Sequence, residues 1–161
     1  MAIRIIITGG TFDKQYDEIE GTLTFKDTHL PEILKRVRVT EDVSLQVVQL
    51  MDSLDMIEQN REDILKACIN APEQKIIITH GTDTMAETAR VIGAAGIEKT
   101  VVLTGAMVPY MVHNSDSEFN LGSAFTAVSL LPNGVYIVMN GRVFNWDNVR
   151  KDKGAGVFRE L

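Results

Sequence analysis

A doubly wound α/β fold, with a mostly parallel sheet between two layers of helices, follows from two features of this 161-residue sequence. Five short runs rich in β-branched residues are hydrophobic almost without interruption, as strands buried on both faces are. Four stretches of helical character fall between them, and alternating strand and helix implies right-handed crossovers in a parallel sheet. The first strand is expected at 3–8 (Ile-Arg-Ile-Ile-Ile-Thr), followed by a helix at 30–37. A strand at 45–51 leads to a helix at 58–70, where apolar residues recur every three or four positions, and Pro72 ends it. Then come a strand at 75–80, a helix at 84–95, a strand at 99–104 and a helix at 118–131. Pro132-Asn133-Gly134 makes the turn into the last strand, 135–140. Two segments read as irregular, from Gly9 to about His29 and from Gly105 to Ser117. Long polar loops are uncommon inside a compact domain and are more often functional than accidental.

Length and the lack of any linker composition assign residues 1–161 to one domain, large enough to bury about 70% of its unfolded surface. The 16 Lys and Arg against 22 Asp and Glu give a formal charge of −6, which disfavours nucleic acid or an anionic membrane as partner. Cys68 is the only cysteine, so no internal disulfide can form, and its place on the apolar side of a helix reads as packing. The opening residues do not have the order of a signal peptide, and no apolar run approaches bilayer length; the expectation is a cytoplasmic protein.

The strand ends carry the polar residues: Thr8-Gly9-Gly10-Thr11, Asp52-Ser53-Leu54-Asp55, His80-Gly81-Thr82-Asp83-Thr84, Thr104-Gly105-Ala106-Met107 and Asn140-Gly141. In open α/β sheets the ligand crevice lies outside these ends, so hydroxyls, carboxylates and permissive glycines converge there. Thr82 and Asp83 precede a helix whose free N–H groups favour an anion, and the same Thr82-Asp83-Thr84 run also suits a helix N-cap. No serine has a histidine at a recognisable spacing, so a nucleophile in this place is a threonine hydroxyl. Neither the dinucleotide Gly-x-Gly-x-x-Gly fingerprint nor the Gly-Lys-Ser/Thr phosphate loop is present. His29, His80 and His113 lack metal-ligand spacing, so no metal or organic cofactor is expected, and His80 reads as a hydrogen-bonded residue packed at a strand end. Met107, Met111 and Met139 read as packing residues.

Ile-Thr-Gly-Gly-Thr-Phe at 7–12 and Thr-His-Gly-Thr-Asp-Thr-Met at 79–85 resemble the two signature segments of the bacterial L-asparaginase family of asparaginase/glutaminase amidohydrolases. Asp52-Ser53-Leu54-Asp55-Met56, the stretch from Val101 to Met107, Val138-Met139-Asn140 and Asp147-Asn148-Val149-Arg150-Lys151 agree with it too. The likeness covers essentially the whole chain but only the family's N-terminal catalytic domain, a three-layer, flavodoxin-like sandwich. It implies Thr11 as nucleophile, with an acyl-enzyme formed as ammonia leaves, and Thr82, Asp83 and Lys151 as a proton relay. Ser53 matches a residue that holds the substrate α-carboxylate, Asp83 the partner of its α-ammonium group, and Tyr16, more loosely, a mobile-loop tyrosine. Gly10, Gly81 and Ala106, in the same strand-end segments, complete the expected substrate-binding set. Leu54 stands where the family commonly has glutamine and offers no side-chain hydrogen bond.

A threonine must pass on its proton as it attacks, and a lysine accepts one only when neutral, while an adjacent aspartate holds it charged. The expectation is therefore a shared network in which Thr82 takes the Thr11 proton or orients the deacylating water. Backbone N–H groups at the start of the following helix would meet the oxyanion. The resemblance also implies sites completed by a neighbouring subunit's C-terminal domain, so a homo-oligomer, dimer or tetramer, is expected. The ending with Arg142, Phe144, Trp146, Arg150, Lys151, Lys153 and Arg159 is its candidate interface. The leading function is hydrolysis of L-asparagine or a related ω-amide. The alternatives are a catalytically weak module that binds an amino-acid-like ligand, and, from the fold alone, a flavin or phosphate domain.

Overall fold

The central strand of the computed structural model, which describes residues 1–161, is also the first: β1 (Ala2–Gly9) lies between β4 (Asp42–Met51) and β5 (Lys75–Thr79). The six-stranded sheet runs β4-β1-β5-β6-β7-β8, with β6 at Thr100–Thr104, β7 at Gly134–Met139 and β8 at Arg142–Asn145. The first five of these pair in parallel, as the hydrophobic runs predict. Side chains alternate between the faces, so each strand supplies two cores. Ile6, Ile76, Ile78, Val101, Leu103 and Ile137 pack on one face with Ile64 and Cys68 of α2 (Glu58–Asn70) and Ala89 and Ile92 of α3 (Met85–Ala94). Ile5, Ile7, Ile77, Val102 and Val138 pack on the other with Ile33 of α1 (Leu30–Arg36) and Leu121, Ala124 and Val128 of α4 (Ser117–Leu130). Each fully buried isoleucine contributes about 1.5–3 kcal/mol relative to an exposed one, which makes β1 and β5 the strongest part of the fold. Cys68 lies in this packing, its thiol pushed up to about 12 by burial, so it is inert as a nucleophile.

Three hairpins depart from the sequence expectation. The stretch from Gly9 to His29 is not wholly irregular: β2 (Gln15–Asp17) pairs antiparallel with β3 (Thr22–Thr24), in strands too short to show a period. After β7 the chain turns through Asn140 and Gly141, at φ 57° and 73°, and β8 returns antiparallel along β7. Asn-Gly between apolar runs is a strong hairpin signal, and here it adds an antiparallel edge to the parallel sheet. Finally β9 (Arg150–Asp152) pairs with β10 (Val157–Arg159), whose Phe158 is buried and donates its N–H to Asn140 Oδ1 at 2.9 Å.

The segment between β8 and β9 is fastened to α3. Arg90 Nη2 donates to the Val149 carbonyl at 3.1 Å, and Trp146 lies so close to Gly93 that a Cβ there would stand 2.2 Å from the indole. Of the seven residues expected at an interface, Phe144 belongs to the core, Trp146 is packed on α3 and Lys151 turns into the strand-end crevice, while Arg142, Arg150, Lys153 and Arg159 are exposed. Of the three methionines read as packing, Met139 is buried, Met107 half-buried and Met111 exposed.

Candidate active site

The sheet reverses direction at β1: the chain leaves it for β4 on one side and returns to β5 on the other. At that switch point the two carboxyl ends open a crevice. Both ends continue into glycine, and the two backbones touch. A Cβ on Gly10 would stand 2.3 Å from the Gly81 nitrogen, and one on Gly81 would stand 2.7 Å from Ser53 Cβ and Oγ. Gly10 also takes φ 75°, where a side chain is strained. Glycine at 10 and 81 therefore brings three turns into van der Waals contact, and the residues that follow the glycines, Thr11 and Thr82, become neighbours.

Each turn has its own fastening. The 3-10 turn Thr11–Asp13 places Thr11 half-buried, its hydroxyl free of any hydrogen bond within the chain, while Phe12 and Asp13 are fully buried. The turn Ser53–Asp55 is capped by Asp52, whose Oδ1 accepts from the Leu54 N–H at 3.1 Å. Asp52 Oδ2 meets Lys14 Nζ at 2.7 Å, tying the first turn to the second and holding the Asp52 carboxyl below its ordinary range. Ser53 is buried; its Oγ accepts from the Thr84 N–H at 3.2 Å and its carbonyl from the Thr84 hydroxyl at 2.8 Å.

The expected N-cap does not form. Thr84 occupies the N-cap position of α3 without a side-chain capping bond, since its hydroxyl is committed to Ser53. Thr82 and Asp83 turn instead to Lys151: its Nζ donates to Thr82 Oγ1 at 2.8 Å and to Asp83 Oδ1 at 2.9 Å. The Lys151 side chain is only 11% exposed, so the pair with Asp83 is partly shielded from solvent. The N–H groups of Gly81, Thr82 and Asp83 donate to nothing within the chain.

His80 supports this turn from beneath. Its ring is fully buried, with Nδ1 at 2.7 Å from the Gly81 carbonyl and Nε2 at 2.7 Å from the Thr88 hydroxyl. Facing a carbonyl, Nδ1 must carry the hydrogen, and Nε2 then accepts from Thr88. Burial pushes the imidazole down to about 4, against the Gly81 bond, which favours the charged form. In a trans peptide, holding the Gly81 carbonyl toward His80 turns the Thr82 N–H the other way.

Lys151, Thr82, Asp83, Ser53, Gly10, Gly81 and Thr11 thus come together as a group. Tyr16 does not join them by any hydrogen bond: it stands 64% exposed on β2, across from Leu23. Ala106 is buried in the core face shared with α4. Sequence reading missed Lys14 with Asp52, and also Asp13; opposite charges at two converging strand ends were the available signal for the first pair. The largest groove, about 680 Å³, lies elsewhere, between α4 and β8. It is lined by Phe119, Leu130 and Val143 with Glu118, Ser123 and Thr126, and none of Thr11, Ser53, Thr82, Asp83 and Lys151 enters it.

A doubly wound α/β domain with a lysine bridging a threonine and an aspartate at its switch point is the class that fold and site define. The chain belongs to the asparaginase family: the family model "Asparaginase, N-terminal" matches residues 2–157. It is 39% identical to L-asparaginase 2 of Escherichia coli over 167 residues, which cover 96% of this chain and 47% of that protein. It is 30% identical to one component of the glutamyl-tRNA(Gln) amidotransferase of Methanococcus vannielii over 148 residues, 88% of this chain and 34% of that protein. The thermostable L-asparaginase from Thermococcus kodakarensis superposes with a TM-score of 0.88 at 26% identity, over 100% of this chain and 51% of that one. The chain spans about half the length of the curated asparaginases it matches.

Proposed function

We propose that this domain hydrolyses the side-chain amide of L-asparagine, or a related ω-amide, to a carboxylate and ammonia, with Thr11 as the nucleophile. The observation that carries the reading is the Lys151 ammonium bonded to both Thr82 Oγ1 and Asp83 Oδ1 beside an unbonded Thr11 hydroxyl. Family membership supports the amide substrate.

In acylation the Thr11 oxygen bonds to the amide carbon and its proton enters the Thr82–Lys151–Asp83 network. The network gives a proton to the departing nitrogen as it receives one, so Lys151 stays charged and Asp83 unprotonated, which removes the conflict between a lysine base and an adjacent carboxylate. Ammonia leaves and an ester to Thr11 remains. Water then adds to the ester carbon, its proton passes through the same network to Thr11 Oγ, and the carboxylate product is released. The unpaired N–H groups at Gly81–Thr82–Asp83 are suited to the oxyanion of both steps. In this reading Ser53 takes the α-carboxylate and Asp83 the α-ammonium group, and Leu54, 64% exposed, can offer only apolar contact.

Ammonia release from L-asparagine, L-glutamine and simple amides, wild type against Thr11→Ala, tests the reading. Release by wild type alone is expected. Equal rates with retained binding of L-aspartate would make the domain a binding module instead. The reading includes self-association, supported by the exposed Phe119, Leu130 and Val143 around the α4–β8 groove, and size-exclusion chromatography checks it.

A further inference from the structure

We propose that Asp13 is a positioning residue, whose buried carboxyl clamps the turn that carries Thr11 to the start of α1; the kinetic part of this rests on the amidohydrolase reading. The turn is weakly held by its own backbone. Asp13 N–H reaches the Gly10 carbonyl at 3.2 Å and Lys14 N–H the Thr11 carbonyl at 3.3 Å, both at the long end for such bonds. Side chains do the fixing. Phe12 is buried in the core, and its carbonyl accepts from the Tyr110 N–H at 3.4 Å. Asp13 Oδ1 accepts from the His29 N–H at 2.9 Å and from the Thr28 hydroxyl at 3.1 Å, joining residues 15 or 16 positions apart. Lys14 closes the turn through Asp52. Of the four residues from 11 to 14, Thr11 alone is left with a side chain free to face a substrate.

A carboxyl is a costly choice for such a clamp. Asp13 is fully buried, pairs with no lysine or arginine, and leaves Oδ2 without a partner, as the neighbouring His29 leaves Nε2. Burial raises its carboxyl above the ordinary range, against the two hydrogen bonds and His29. An apolar residue would suit folding better at a site with no cation, whereas only an acceptor fixes the turn to both donors. Such a cost next to a proposed nucleophile marks a position kept for geometry rather than stability.

Asp13→Ala, Asp13→Asn and Thr28→Val test the clamp by kcat and KM for ammonia release and by amide hydrogen exchange at residues 12–14. Asp13→Ala is expected to lower kcat about tenfold or more with little change in KM, because substrate docks on Ser53 and Asp83 while only the attacking oxygen is displaced. Exchange at residues 12–14 should quicken about tenfold, with β5 and α3 unchanged. Asp13→Asn keeps an acceptor and should recover most of kcat, and Thr28→Val should lose about two- to threefold. If Asp13→Ala does not fold, the other two variants decide. Wild-type kcat in Asp13→Ala or Thr28→Val, a rise in KM that matches the fall in kcat, or unchanged exchange at residues 12–14 in those two variants would overturn the clamp. Wild type no faster than Thr11→Ala on every amide overturns the amidohydrolase reading instead, and the exchange data then decide the clamp alone.

Discussion

Two threonines meet at the switch point of the sheet and are held in opposite ways. Thr82 is buried and bonded to Lys151, its turn pinned by Ser53 in front and His80 behind. Thr11 stands on a turn fastened at every other residue, with its own hydroxyl bonded to nothing. A group that relays protons gains from a fixed network, whereas a group that must form a bond to carbon needs a free lone pair on a fixed backbone. The difference supports the division of roles in the proposed reaction, in which Thr11 attacks and Thr82 transfers protons.

Replacing Thr11 by Ala tests that contrast most severely: ammonia release should fall about a thousandfold or more, with the urea midpoint unchanged. Lys151→Met should cost about 10²- to 10⁴-fold in kcat, the usual range for a lost proton-transfer group. A Lys151→Met variant as active as wild type would remove the wired threonine from the chemistry. Gly10→Ala attacks the contact that makes the two threonines neighbours, because the new Cβ meets the Gly81 backbone in a strained φ region. Urea unfolding should register a loss of about 4 kcal/mol.

The Thr82 side carries a pH signature through His80 that runs opposite in sign to that of Asp13 on the Thr11 side, whose carboxyl is raised by burial. His80 is depressed from 6.5 to about 4 in the folded chain, so the unfolded chain binds more protons between those values. Stability from this residue is therefore whole above pH 6.5 and lost as pH falls, by about 3 kcal/mol at pH 4. His80→Gln keeps hydrogen-bonding capacity without titrating, so wild type minus variant should isolate that slope from the carboxylates; a flat difference would place the charge elsewhere. The smallest effect belongs to Asp52→Asn, which weakens a partly exposed ion pair and should cost about 1 kcal/mol or less.

The parallel strands and four helices were legible because buried strands and crossover helices leave continuous patterns in the chain. The strand-end motifs were legible because glycine, threonine and aspartate cluster there in runs that interrupt the apolar pattern, and glycine and aspartate are poor residues for strand interiors. What stayed hidden depended on contacts between distant segments. Nothing local distinguishes a three-residue strand such as Gln15–Asp17 from a loop. Asp13 is one of several polar residues in the segment after β1, and only its contacts with the distant Thr28 and His29 set it apart. Thr82 and Asp83 suited a helix cap until Lys151, 69 and 68 residues away, took them instead.

Trp146 gives the molecule a built-in optical probe. It is the only tryptophan in the chain, and its indole lies on Gly93 of α3, five positions before Lys151. Its emission colour reports whether the strip bearing the lysine is seated, independently of whether the sheet beneath is folded. A red shift that precedes loss of secondary structure during gentle denaturation would reveal the relay detaching from an otherwise intact scaffold.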